Sequence, residues 1–282
     1  MDANSLHFSL ELVSGLGQGM SSEQKAALRA SLVLLQRDYR FTRVLFWGRI
    51  QGLQADYYIA QGCGEDQLHN RSVLYSLNCL DWSLLPPATE NMILEASEVI
   101  GRFIGDPSHE YEYASTRNKA DEDKADEDDP VPDEEEIKSL KEEARLVATI
   151  ALIDQESAVV PRGAYVKSPH GQVELNRSFQ GLSMTEARKL TNYFHCTPTL
   201  NPQTKTLEEK AELDPAIDFL NSLEHDIPRG SWSLQFEGGN TVLVLRSLLW
   251  PGLTFFHMPM TPHHGHIYIG NGQRNIDLPF ML

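Results

Sequence analysis

The densest chemistry in the sequence lies in HMPMTPHHGH, residues 257 to 266, where His257, His263, His264 and His266 sit beside two prolines and a glycine. His264 and His266 are two apart, so a strand would point both to one side. His257, across a hairpin, would bring a third imidazole. Such a trio resembles a zinc site, which also needs a fourth ligand or an open water position, and outer partners to fix each ring. No fourth ligand is near in sequence, and Asp277 is a distant candidate. A solvent-exposed, proline-rich hairpin tip accounts for the same residues and is the preferred reading. A metal-binding module or metal-dependent enzyme using His257, His264 and His266 is the alternative.

Nothing else converges on catalysis. GxSxG, GxxxxGK[ST] and HExxH are absent, and DEDKADEDD lacks the glycine and terminal glutamate of an EF-hand loop. His195 and Cys196 are adjacent, and neighbouring side chains diverge too far for a nucleophile and its base. GLGQG, residues 15 to 19, follows a helix and has no Lys-Ser/Thr pair, so it reads as a linker rather than a phosphate loop. The expectation is a protein that is not an enzyme and carries no cofactor. Cys63, Cys79 and Cys196 are an odd number without CxxC spacing, as in a reducing cytosol.

The chain has 282 residues, 41% of them apolar, and a net charge of −16. Residues 121 to 136 alone hold eleven acids and one lysine, which leaves about −6 for the rest. So dense a run repels itself and buries nothing, so it reads as a disordered insert. Such an insert could serve as an acidic scaffold. Without clustered Lys and Arg the composition does not point to nucleic acid. No apolar run reaches the roughly 18 residues of a membrane span, and MDANSLHFSLELVSG has no basic region of a signal peptide.

The elements that must position these residues make an α+β pattern. A short helix is expected near Leu6 to Val13. SSEQKAALRASLVLLQRDY is a second helix, with Ser21 and Gln24 as a capping box and Leu28, Leu32 and Leu35 on one face. Residues 43 to 62 read as two antiparallel strands, and VLYSLN as a third. A helix capped by Thr89 follows Pro86 and Pro87. EEEIKSLKEEARLVATIALIDQES is expected to be one helix with Ile137, Leu140, Ala144 and Val147 aligned. SMTEARKLTNYF and KTLEEKAELDPAIDFLNSLEHD read as further helices, the latter broken at Asp214-Pro215. Two hairpins close the chain, one turning at Gly238-Gly239-Asn240 and one at the histidine-rich segment.

The segments are 1–40, N-terminal helices; 41–108, hairpin and helix; 109–136, acidic insert; 137–225, helices with short strands; and 226–282, C-terminal hairpins. Together they are expected to form one composite domain. Two echoes run through them: VVPRGAY with DIPRGSW, and FWGRI…YYIAQG with LLWPGL…IYIGNG. Trp47, Arg49, Tyr57, Tyr58, Arg162, Arg229, Trp232 and Trp250 lie beside these glycines and prolines. Such side chains anchor either cores or partner interfaces, and the sequence supports both readings equally.

RVLFWGRIQGLQADYYIAQG, YSLNCLDWSLLPPATE, LEHDIPRGSWSLQFE, LRSLLWPGLTFFH and NIDLPFML together resemble the axonemal radial spoke head family of motile cilia and flagella. FWGRI and DYYIA also resemble the larger 4/6-type members. The resemblance implies a structural subunit in the axoneme, a cytoskeletal structure, that helps assemble the spoke head with radial spoke head proteins 4/6, 1 and 3. The assembled head would touch the central pair apparatus transiently and regulate ciliary and sperm motility. It implies no catalytic residue, cofactor or metal.

Overall fold

The computed structural model describes residues 1–13, 19–67, 71–115, 136–196 and 219–281. Residues 121–135 of the acidic run, 15–18 of the glycine linker and the expected break at Asp214-Pro215 lie outside them. The architecture is α+β. Helices are α1 Leu6–Leu12, α2 Ser22–Asp38, α3 Glu90–Glu98, α4 Glu142–Ser157, α5 Met184–Ala187 and α6 Leu278–Met281. Strands are β1 Arg43–Ile50, β2 Tyr57–Cys63, β3 Ser72–Ser76, β4 Ser83–Leu84, β5 Glu110–Ser115, β6 Glu136–Lys141, β7 Val159–Pro161 and β8 Tyr165–Lys167. The rest are β9 Val173–Leu175, β10 Tyr193–Cys196, β11 Leu220–Ser222, β12 Trp232–Glu237, β13 Val242–Ser247, β14 Leu253–His257 and β15 His264–Gly270.

One eight-stranded sheet organises the molecule, in the order β12-β13-β14-β15-β1-β2-β3-β4. It consists of two antiparallel meanders, one from each end of the chain, joined where β15 runs parallel to β1. That parallel seam was not foreseen in a sequence of hairpins. At the seam Gly48 faces Tyr268 and has φ +149. A β-bulge between Phe46 and Gly48 makes Trp47 the extra residue and shifts the alternation, so Trp47 and Ile50, three apart, reach the same core.

Alternation along the strands feeds two faces. On the first, Val44, Phe46, Tyr58, Ala60, Val244, Phe256 and Ile267 pack against α1 and α2. Helix α2 begins with the expected Ser21–Gln24 capping box and buries Leu28, Leu32 and Leu35. On the second face, α4 covers Trp47, Tyr57, Ile59, Leu253 and Tyr268. Beside it, β7, the α5 turn and β10 cover Leu243, Leu245 and Phe255.

Three expected helices differ. Residues 136–141 form β6, paired with β5, and the helix begins only at Glu142. Their Ile137 and Leu140 fit a helical face by spacing, but pairing with Glu110–Ser115 satisfies their backbone instead. Those partner residues lie within the span assigned to the acidic insert. The segment after Ser183 keeps its cap, which accepts from the Glu186 N–H, but helix α5 ends at Ala187 and Tyr193–Cys196 become a strand. The described end of the next segment is β11 and a 3-10 turn, Leu223–His225.

Candidate functional site

On the second face, the two covering layers leave a gap. Between α4 and the β7–β10 layer lies a chamber of about 780 Å³, and its floor is polar where the neighbouring floor is apolar. Strand register explains the floor. Arg43 and Leu45 on β1 lie opposite Cys63 and Gln61 on β2, so Arg43 and Gln61 are diagonal neighbours on one face. His264 and His266 come from β15, on the same side as expected from their spacing. Arg71 precedes β3, and Tyr165 opens β8. The walls are apolar: Leu84, Val147, Ile150 and Val160.

The charges there are built in. Arg43 pairs with Asp2. Asp154, on α4, accepts hydrogen bonds from Trp47 Nε1 at 2.6 Å and from the Gln61 amide. Burial pushes the Asp154 carboxyl above its ordinary range, opposed by Arg71, Trp47 and Gln61. Burial also works against both guanidiniums, but Tyr165 and Asp2 beside Arg43, and Asp154 beside Arg71, outweigh it and hold both above the ordinary value. Of the seven buried side-chain atoms without a hydrogen-bond partner among the described residues, two belong to residues lining the chamber: Arg43 Nη1, a donor, and Gln61 Oε1, an acceptor.

Of the four histidines only His263, beside exposed Pro262, lies at an exposed tip; the other three do not. His257 is fully buried, and both its ring nitrogens are engaged: Nδ1 faces His263 O at 3.2 Å, and Nε2 accepts from the Leu182 N–H at 3.2 Å. The His264 Nδ1 bonds Pro262 O at 2.9 Å. Among the described residues no group of three His, Cys, Asp or Glu is placed to hold a metal ion. The zinc reading is therefore corrected: His257 and His264 do oppose each other across the hairpin, but the rings serve the backbone of the connection and the chamber.

Burial drives His257 and His264 down to about 4, and His266 well below the ordinary value. A histidine buried neutral takes up protons on unfolding, so its contribution is full above about pH 6.5 and is lost as pH falls toward 4. His257 alone should cost about 2 kcal/mol between pH 7 and pH 5. Urea denaturation at the two pH values should show this loss, and His257→Gln should reduce the pH dependence.

The eight proposed interface residues fall into three groups. Trp47, Tyr57, Tyr58 and Trp250 are buried in the chain's own cores. The echo between the two tryptophan segments has a shared counterpart in α4: Trp47 donates to Asp154, and Trp250 donates to Glu156 at 2.8 Å. Arg49 pairs with Asp56, and half-buried Trp232 donates to Asp226 at 2.7 Å. Arg162 is exposed and 3.5 Å from Glu186, and Arg229 is exposed beyond Ile227, which is 89% exposed. The positions left open to a partner are therefore the two arginines of the echoed Pro-Arg-Gly turns. Trp47→Phe should cost about 1.5–3 kcal/mol, the range for a hydrogen bond to a charged group, and a chemical denaturation curve reads it directly.

Sequence reasoning passed over Arg43, Gln61, Arg71 and Asp154. Their signal was present only as polar residues at inward strand positions and one acid within an apolar helical run, and register was needed to bring them together.

Residues 3–148 match the family model described as radial spokehead-like protein. The chain is 58% identical over 282 residues to the radial spoke head protein 9 homolog of Bos taurus, with all of both chains covered. It is 57% identical to that of Homo sapiens over 282 residues and 59% to that of Xenopus tropicalis over 283, again over the full length of each. The chain belongs to the radial spokehead-like family.

Proposed function

We propose that the protein is a structural subunit of the radial spoke head in motile cilia and flagella. It helps assemble the head, supports the central pair and so regulates ciliary and sperm motility. The observation that carries this reading is identity of 58% along the entire length of a radial spoke head protein 9 homolog, with no part of either chain left over. The fold supports it: both ends of the chain build one sheet, and no helix among the described residues is long and apolar enough to cross a membrane. Its partners are the 4/6-type head proteins and head proteins 1 and 3, with transient contact to the central pair through the assembled head. It resides in the axoneme.

The test is purification of the tagged full chain from motile ciliated cells, with bound proteins and zinc both quantified. Spoke head subunits without stoichiometric zinc are expected; stoichiometric zinc without spoke subunits would reverse the reading. Deleting the C-terminal hairpin is a poor probe of docking, because β14 and β15 are central strands whose loss unfolds the sheet. Surface reversals are cleaner. Arg162→Glu with Arg229→Glu should lower recovery of head partners, with the loss shrinking at high salt and thermal stability unchanged. Unaltered recovery would remove these two arginines from the interface.

A further inference from the structure

We propose that the chamber between α4 and the β7–β10 layer receives an acidic peptide segment from another spoke head subunit: an Asp or Glu side chain flanked by an apolar residue. The inference rests on the spoke head reading above. Its basis is the pattern of groups that the chain leaves unanswered. Inward positions of a central sheet are normally apolar, and here the neighbouring ones are. This stretch instead carries Arg43, Gln61, His264 and His266, with Arg71 beside them.

Buried polar atoms are normally satisfied, so exceptions call for a partner. Arg43 Nη1 requires an acceptor and Gln61 Oε1 requires a donor. A peptide carrying an acidic side chain offers both, a carboxylate and a backbone N–H. The apolar walls at Leu84, Val147, Ile150 and Val160 suit the flanking residue. At about 780 Å³ the volume falls within the range of formed ligand sites and holds a few residues of chain. The chamber's charged groups are Arg43 and Arg71, held as cations, with Asp2 and Asp154 beside them, and its imidazoles stay neutral; what those acids leave without an acceptor is Arg43 Nη1, the donor that an incoming carboxylate would answer.

The test uses the assembled head. The photo-crosslinker p-benzoylphenylalanine replaces Leu84, which is 51% exposed at the chamber rim, and in a control replaces Val33, 50% exposed on α2. Heads are purified, irradiated, and the crosslinked peptides sequenced. The probe at Leu84, and not the one at Val33, should capture one Asp- or Glu-bearing peptide of another head subunit. Ala151, which lines the chamber from α4, supplies matched variants that differ in charge alone. Ala151→Glu should cut that crosslink about tenfold or more while Ala151→Gln stays within about twofold, both at unchanged melting temperature.

Equal effects of the two variants would overturn acidic recognition. So would crosslinks to this chain's own residues 121–136, or an organic acid retained in the chamber by native mass spectrometry. Head subunits present with no Leu84 crosslink would defeat the chamber proposal alone. Their absence from the eluate would defeat the spoke head reading together with it.

Discussion

Glu142→Ala is expected to destabilise the protein by about 3–5 kcal/mol, the range for breaking a buried charge network from one side. Glu142 is fully buried at the start of α4. Its carboxylate accepts from the backbone N–H groups of Ile104, Gly105 and Asp106 at 2.8, 2.6 and 3.1 Å, from the Tyr57 hydroxyl at 2.6 Å and from Tyr111. Three backbone donors and two phenols on one acid make it the clasp of the 101–111 loop. Arg145, one turn on, helps by bonding Gly101 O and stacking on Phe103 and Tyr111. Removing the acid leaves five donors unanswered, and two of them, the Tyr57 hydroxyl and the Gly105 N–H, are buried.

Burial raises the Glu142 carboxyl, but Tyr111, Tyr57 and the backbone donors outweigh it and hold it below its ordinary value of 4.5. A depressed acid stabilises the fold fully above its unfolded value and loses that contribution as pH falls through the folded one. The difference between variant and parent should therefore hold above about pH 4.5 and shrink as pH falls below it. Urea midpoints at pH 7 and pH 3.5 measure this. A constant difference between the two proteins would show that the acid acts through packing rather than charge.

Glu142 also shows where sequence reading stopped. The helix was legible, and so was its acidic start, which favours the dipole. The segment before it was not. Ile137, Leu140, Ala144 and Val147 continue the helical spacing backwards, and only the distant strand β5 makes Glu136–Lys141 extended. Local signals with a local cause were sound: the Ser21–Gln24 box, the Thr89 and Ser183 caps, and the turn where Gly238, Gly239 and Asn240 all take positive φ. The chamber was illegible because its residues come from separated segments that meet only through strand register. Trp47 and Trp250 were equally fit for core or interface until α4 supplied Asp154 and Glu156 as their acceptors.

The same dependence on long-range pairing sets the second large effect. Gly48→Ala should cost more than about 3 kcal/mol and abolish recovery with head partners, because it strikes the seam joining the two ends of the chain. A Cβ at Gly48 would lie 2.0 Å from Tyr268 O and 2.7 Å from Tyr268 N, both backbone atoms that cannot swing aside. The residue also holds φ +149, which side chains resist. Relief requires β1 and β15 to part, and that seam holds both meanders as well as the floor of the chamber. Gly64→Ala is the matched control: nothing lies within 4 Å of its Cβ and its φ is not positive, so it should stay within about 0.5 kcal/mol of the parent. If both variants unfold at the same urea concentration, the parallel seam is not what unites the fold. If only Gly48→Ala fails, and head partners are lost with it, the surface presented to the spoke head depends on both ends of the chain being closed into one sheet.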